Sequence, residues 1–223
     1  GEYTKHMITV FPDPYPDELL YSVCARYGDR MCYPSRMSLT AELFGNPNVV
    51  ATLDLPSHLN RLVSVLPYGD QQLVDNIIDR HTLLPFYAPF LNRDRACQLR
   101  TDMCDTKAVS THMRAGIMAS KITLPPSVRY CPQCVVEDRA HYGETFWHRA
   151  HQLPGVPICP IHSADLVDST VQVRRQESRL DYYSAERTLE EIGTPSYCIA
   201  SRNKMVWKVA KDAQWLLEQP NHL

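Results

Sequence analysis

The 223-residue sequence has little glycine, no long apolar run and almost no net charge. The low count of 8 glycines fits a mostly helical chain. The longest nearly unbroken apolar stretch, positions 83–91, has about half the length that a membrane span requires, and prolines interrupt it. The formal charge of −2 excludes a uniformly basic nucleic-acid coat but leaves room for a local basic surface.

The sequence also lacks a signal peptide and the common catalytic motifs. Because no charged and then apolar segment begins the chain, we expect a cytoplasmic protein, with positions 1–6 a tag or cleavage scar before Met7. No glycine-rich phosphate loop, His-Glu-x-x-His or Gly-x-Ser-x-Gly motif occurs, and no pair of carboxylates stands out. These absences predict that the protein is not an enzyme.

Cysteine is well represented, and its spacing is informative. Cys131 and Cys134 form one Cys-x-x-Cys pair, and Cys159 and His162 form a Cys-x-x-His pair, each with proline directly after its first member. Together they offer a closed tetrahedral shell of sulfur and nitrogen, so we predict one structural Zn²⁺ held by two zinc knuckles. The alternatives are ordinary buried cysteines with a surface histidine, or a catalytic zinc with an open position.

The remaining cysteines have spacings that suit no metal site. Cys24, Cys32, Cys97 and Cys104 lie far apart on helix-like segments, and we expect them to be small buried hydrophobic residues. Cys198 stands alone.

Apolar periodicity and capping residues predict several helices. Pro16, Asp17 and Glu18 favour the first turn of a helix that ends at Gly28. A second helix, 38–44, would end at Gly45 and form a helix-turn-helix-like pair with the first. The further predicted helices are one capped by Ser57, one capped by Asp70, one within 92–120, and a last one over 204–218 that buries Val206, Val209, Ala210, Ala213 and Leu217.

The stretch 81–90 breaks this rhythm with prolines and aromatic residues. We expect an irregular apolar segment that packs in the core, the alternative being a surface offered to a partner. The pattern as a whole predicts a mainly α protein. Its parts are an N-terminal helical domain over 7–124, a zinc-binding module over 125–170, and a connector with a C-terminal helix over 171–223.

Basic residues are concentrated in the zinc half of the chain. Arg129, Arg139, His148 and Arg149 could face DNA phosphates, with His141 and His151 adding partial positive charge. The alternative is a solvated face with Phe146 and Trp147 packed behind the metal. His148 and His151 are also spaced as metal ligands, but the four better ligands already satisfy the ion.

The zinc half resembles the TniQ/TnsD family of bacterial transposon target-selection proteins. The resemblance extends over about 7–166 and is carried by Arg129-Tyr-Cys-Pro-Gln-Cys134, Phe146-Trp-His-Arg149, His151-Gln-Leu-Pro-Gly155, Cys159-Pro-Ile-His162, and upstream by Phe11-Pro12, Glu18-Leu-Leu-Tyr-Ser22 and the stretches 49–59 and 81–90. The upstream segments look like the TnsD branch. Since TnsD-like members usually run much longer, we expect this chain to be an N-terminal portion.

The resemblance implies an N-terminal helix-turn-helix, a zinc-bearing TniQ domain and an adaptor role at the nucleoid. Such a protein marks double-stranded target DNA and recruits a TnsC-type AAA+ ATPase, which then admits the transposase. In other family members the mark is a CRISPR effector complex, and this is the alternative function. A zinc-dependent hydrolase is the alternative from another class.

The charge map divides these roles between the two halves. Because the N-terminal half is acidic and has apolar helix faces, we predict that it docks the ATPase, through Phe11, Tyr15, Phe86 and Tyr87. DNA would then meet the basic zinc half.

Overall fold

The computed structural model describes residues 7–67, 69–105, 124–173, 181–192 and 203–219. They are mainly helical, as the sequence predicts. The helices are α1 (Leu20–Arg30), α2 (Arg36–Phe44), α3 (Leu59–Val65), α4 (Gln71–His81), α5 (Leu84–Tyr87), α6 (Arg93–Cys104), α7 (Pro132–Tyr142), α8 (Ala185–Ile192) and α9 (Lys204–Glu218). None of the helices in these ranges is both long and apolar enough to span a bilayer.

The first helix differs from its prediction at both ends. Asp17 and Glu18 precede α1 instead of filling its first turn, and Asp17 has a left-handed backbone with φ of 61°. Gly28 lies inside α1 and does not end it. A Cβ at Gly28 would come within 2.9 Å of Leu39 Cδ2, so the glycine allows α2 to approach α1 closely. Gly45 ends α2 as predicted, with φ of 69°.

The predicted N-cap is wrong for α3 and confirmed for α4. Ser57 does not cap α3, because His58 occupies the N-cap position and Ser57 Oγ instead lies 2.8 Å from His58 Nδ1. Asp70 caps α4, and its Oδ1 accepts a hydrogen bond of 2.9 Å from the Leu73 amide. The helix predicted within 92–120 is described only as α6, and the rest of it lies outside the described residues.

Most of the apolar stretch 81–90 is helical, so its prediction as irregular was wrong. It contains α5 and then a 3₁₀ turn over Ala88–Phe90. Leu83, Leu84 and Tyr87 are buried as predicted for a core segment, but Phe90 is 72% exposed.

The prediction that the non-ligand cysteines are buried holds for only part of the set. Cys24 is buried and Cys104 is half-buried, whereas Cys32 and Cys97 are exposed. Along α9, Ala210, Ala213 and Leu217 are buried as predicted, but Val209 is 48% exposed.

A two-stranded antiparallel sheet, which the sequence did not reveal, frames the cysteine-rich segment. Strands β1 (Ser127–Tyr130) and β2 (Val167–Gln172) pair with Arg129 opposite Asp168, and a bulge separates that pair from Ser127 opposite Gln172. The strands bring the two ends of the 131–166 segment together. One hydrophobic cluster then joins this segment to α1–α4, α8 and α9, so the predicted division into domains stays a prediction.

A buried ion pair fastens the segment before α1 to the rest of the molecule. Arg26 donates to both carboxylate oxygens of Glu18 at 2.9 and 2.8 Å, and the two side chains are 2% and 0% exposed. The Arg26 guanidinium also donates to Asp13 O at 2.9 Å and to Glu144 Oε1 at 3.0 Å, and lies 4.1 Å from the centre of the Tyr15 ring. Arg26 therefore holds together the segment before α1, α1 itself and the segment that follows α7.

We predict that Arg26→Met lowers the free energy of unfolding by about 3–5 kcal/mol, because it leaves the Glu18 carboxylate buried without its counter-charge. Urea unfolding monitored by circular dichroism measures the change. The control is Arg187→Met, which breaks an ion pair to Asp29 whose arginine is 71% exposed and should cost less than about 1 kcal/mol. A loss from Arg26→Met no larger than that of the control would contradict the prediction.

Candidate metal centre and its surroundings

The first pair of predicted ligands lies at the start of a helix. Cys131 is the N-cap residue of α7, Pro132 occupies the first helical position, and Cys134 follows within the first turn. Proline suits this position because its missing amide hydrogen would have no partner there. The positive end of the helix favours the thiolate form of both cysteines.

The second pair lies on a tight hairpin. Ile158 and Asp165 form a β-bridge, the Cys159 amide donates to Ala164 O at 2.7 Å, and Ser163 takes a left-handed backbone with φ of 53°. This turn brings the His162 ring beside the Cys159 sulfur.

The four predicted ligands converge on one point. Cys131, Cys134, Cys159 and His162 have ligand atoms that all lie within 4.8 Å of one another. His162 Nδ1 is 3.6, 3.3 and 3.7 Å from the three sulfurs in that order, and the Cys134 and Cys159 sulfurs are 3.7 Å apart. A tetrahedral ion with metal–ligand bonds of about 2.0–2.3 Å requires separations of about 3.5–3.8 Å, so the group fits a metal ion.

The surroundings of the cluster also suit a metal. The three cysteines are buried, and the hydrogen bonds among them lower the pKa of Cys159 while they raise the pKa of Cys134. A bound metal would take all three as thiolates. His162 turns Nδ1 to the sulfurs, while its Nε2 lies 2.9 Å from Glu137 Oε1. A carboxylate on the far nitrogen of a ligating histidine fixes the ring and increases its basicity.

His151 is a neighbour of the cluster that the sequence did not assign to it. Its Nε2 lies 3.6 Å from Cys134 Sγ, and the residue is only 2% exposed. Its Nδ1 has no hydrogen-bond partner among the described residues. Burial, reinforced by the nearby His148, lowers the pKa of His151 to about 3, so the predicted partial positive charge is wrong for this residue. A neutral ring that donates from Nε2 to the Cys134 sulfur fits these observations.

The predicted DNA-facing side chains on the 148–149 segment point into the molecule. His148 Nε2 lies 2.9 Å from Asp138 Oδ2, and although burial lowers the pKa of His148, this carboxylate raises it overall. Arg149 donates to Asp17 Oδ1 at 3.1 Å and to the carbonyls of Asp79 and Thr82 at 3.0 and 3.2 Å. Phe146 and Trp147 are buried, which matches the alternative in which the aromatic residues pack behind the metal.

The other two predicted DNA contacts also have partners within the chain. Arg139 forms an ion pair with Glu186 at 2.9 Å, and Arg129 donates to Leu153 O at 2.9 Å. DNA contact through Arg129, Arg139, His148 and Arg149 stays a prediction, and a phosphate group would have to replace these partners.

The four predicted partner-binding residues belong to three aromatic groups. Phe11 packs on Tyr27 with ring centres 5.1 Å apart, and Tyr15 packs on Tyr142 and Phe146 at 4.5 and 5.0 Å. Phe86 packs on Tyr87 and on the exposed Phe90 at 5.5 and 6.1 Å. The group of Phe86, Tyr87 and Phe90 offers the most accessible apolar surface of the three, and its most exposed member, Phe90, was missing from the prediction.

Comparison with known proteins agrees with this architecture. The TniQ family model matches residues 9–166, a range that contains α1 to α7 and all four ligands of the cluster. The chain belongs to the TniQ family, which confirms the resemblance seen in the sequence. It is similar to the transposon Tn7 transposition protein TnsD of Escherichia coli, with 40% identity over 154 residues. The match covers 69% of this chain but only 30% of that protein.

We predict that Cys159→Ser removes most of the bound metal and lowers the midpoint of thermal unfolding, because the shell loses one of its four ligands and metal binding contributes to folding. Elemental analysis by mass spectrometry gives the metal content, and circular dichroism gives the midpoint. The control is Cys97→Ser, at an exposed cysteine outside the cluster. Full metal content in the Cys159 variant would contradict the assignment.

A second prediction concerns the carboxylate behind His162. Glu137→Gln should weaken metal binding about 10- to 100-fold, because the ring loses the negative partner of Nε2. Titration with a competing chelator measures the affinity. Asp165→Asn is the matched control, since it removes one exposed negative charge from the hairpin that carries His162. Equal affinities of the two variants would show that Glu137 is not coupled to the metal.

Proposed function

We propose that the chain is a non-catalytic target-selection adaptor in bacterial DNA transposition. In this role it engages double-stranded target DNA and recruits a TnsC-type AAA+ ATPase, which then admits the transposase. The observation that carries the proposal is the convergent Cys₃His cluster inside the range that matches the TniQ family. The similarity to the transposition protein TnsD supports the transposition machinery as the setting. The proposed place of action is the nucleoid in the bacterial cytoplasm.

The proposed cofactor is a single structural Zn²⁺. Three sulfurs and one imidazole nitrogen form the soft tetrahedral set that zinc favours. Four protein ligands close the shell and leave no position for a substrate or an attacking water, which argues against the zinc-dependent hydrolase. The ion would serve to hold α7 and the 158–165 hairpin in one arrangement.

The ATPase is proposed to dock on the N-terminal helices. Phe90 is 72% exposed beside the half-buried Phe86, and together they form an aromatic surface at the end of α5. Aromatic residues of this kind supply much of the binding energy at protein interfaces. Phe11 and Tyr15 are proposed to contribute mainly by shaping the segment before α1, because both pack against aromatic rings of the chain itself.

We predict that Phe86→Ala combined with Phe90→Ala weakens ATPase binding at least about tenfold, since the change removes the exposed aromatic surface. Pull-down with the purified ATPase of the same transposon measures the effect. The control is Val136→Ala, which truncates a 63% exposed apolar residue on α7. Undiminished pull-down by the double variant would remove the proposed docking surface.

A gel shift separates the proposed function from its alternative within the family. The proposal expects this chain to bind attachment-site DNA more tightly than scrambled DNA of the same length. A chain that binds neither DNA but associates with a CRISPR RNA-guided complex would instead couple that complex to transposition.

A further inference from the structure

The C-terminal helix α9 is anchored by one face and turns the other outward. Ala210, Ala213 and Leu217 are buried, and α9 packs on α4, on α5 and on the 3₁₀ turn over Ala150–Gln152. Trp207 Nε1 donates to Pro160 O at 3.3 Å, so the helix is also tied to the hairpin that carries Cys159 and His162. The orientation of the outward face is therefore fixed by the body of the molecule.

The outward face of α9 is basic and aromatic. Lys204, Lys208, Lys211 and Trp215 follow one another at helical spacing, so they form one stripe along the helix. All four are exposed, and Trp215 has an exposed fraction of 57%. Trp207, at 40% exposure, borders the stripe, and the Lys211 ammonium lies 5.8 Å from the centre of its ring.

The three lysines of this stripe form no ion pair within the described part of the chain. Arg93 and Arg95 on α6 form none there either, whereas Arg30, Arg36, Arg139, Arg149 and Arg187 each bind a carboxylate. Positions 203–211 contain no acidic residue, and Asp212 and Glu218 follow in the later turns of the helix. The basic half of α9 is also its N-terminal half, where the helix dipole adds positive potential.

We propose that the outward face of α9 is a contact surface for the phosphate backbone of duplex DNA. The inference rests on the proposed DNA-binding function and names the residues that would perform it. Lys204 and Lys211 are separated by about 10 Å along the helix, so the lysines can reach different phosphates of one strand. Trp215 adds a flat apolar surface that can lie against the sugars or exposed base edges.

The packing of α9 favours DNA over an anionic membrane. A helix that lies on a bilayer inserts an apolar face opposite its lysines. In this molecule that opposite face is largely buried against α4 and α5, and only Met205 and Val209, 70% and 48% exposed, add apolar surface at its edge. A duplex can bind through the exposed lysines and the neighbouring indole rings of Trp207 and Trp215 alone, without insertion of an apolar face.

The test uses two variants that remove the same charge from different surfaces. Lys204→Gln with Lys208→Gln removes two cations from α9, and Arg93→Gln with Arg95→Gln removes two exposed cations from α6. Fluorescence anisotropy with a labelled duplex gives the affinity at several salt concentrations. Each lost phosphate contact reduces the slope of log affinity against log salt by about 0.9, so the α9 variant should show a slope shallower by about 1.8. The α6 variant should keep the wild-type slope.

A third variant tests the aromatic part of the surface. Trp215→Ala should weaken DNA binding several-fold and leave the salt slope unchanged, because the indole carries no charge. Circular dichroism should show wild-type helix content for all three variants, since every substituted side chain is exposed.

The outcomes separate this inference from the proposed function. If the wild-type chain binds DNA and the α9 variant keeps the same affinity and the same salt slope, the assignment of DNA contact to α9 is wrong. The proposed function then still stands. If the wild-type chain binds the ATPase but no DNA, direct DNA binding fails and this inference fails with it. The inference would also be overturned if the wild-type chain bound anionic vesicles or an acidic protein but not DNA, and if the α9 variant lost that binding.

Discussion

The buried pair of Glu18 and Arg26 is the interaction on which the arrangement of the molecule depends. Glu18 belongs to the segment before α1, and Arg26 lies on α1 and reaches Glu144 in the segment that follows α7. Because an unpaired charge at this depth is costly, the three regions keep their relative positions. The backbone continues the connection, since the Leu19 amide donates to Trp147 O and the Arg149 amide donates to Asp17 O.

The Cys₃His group is part of this connected body and not a free-standing finger. Cys134 contacts His151, whose ring centre lies 4.7 Å from that of His148, and His148 in turn binds Asp138. Arg149, next along the chain, binds Asp17 and the end of α4. The polar residues between the metal site and the N-terminal helices therefore fix the position of one relative to the other. Their polar groups are already used in these internal contacts.

The difference between local and long-range signals explains what the sequence revealed. The ligand spacing, the Asp70 cap, the Gly45 stop and the bounds of α9 depend on residues close in sequence, and they were predictable. Helix periodicity predicts Glu18 in the first turn of a helix, because it carries no information about the partner of Glu18 in space. Arg149 looked like a surface cation because its partner Asp17 lies 132 positions away. The short strands escaped prediction for the same reason, since each needs the other across the whole cysteine-rich segment.

The contact between Trp207 and Pro160 gives the molecule an internal optical reporter. Pro160 lies between Cys159 and His162, so any rearrangement of that hairpin changes the surroundings of the indole ring. Trp147 is fully buried and Trp215 makes no contact with the hairpin among the described hydrogen bonds, so changes at the hairpin fall mainly on Trp207. Its emission would follow the state of the metal centre in real time and without a label, as long as no ligand covers the face of α9 that Trp207 borders.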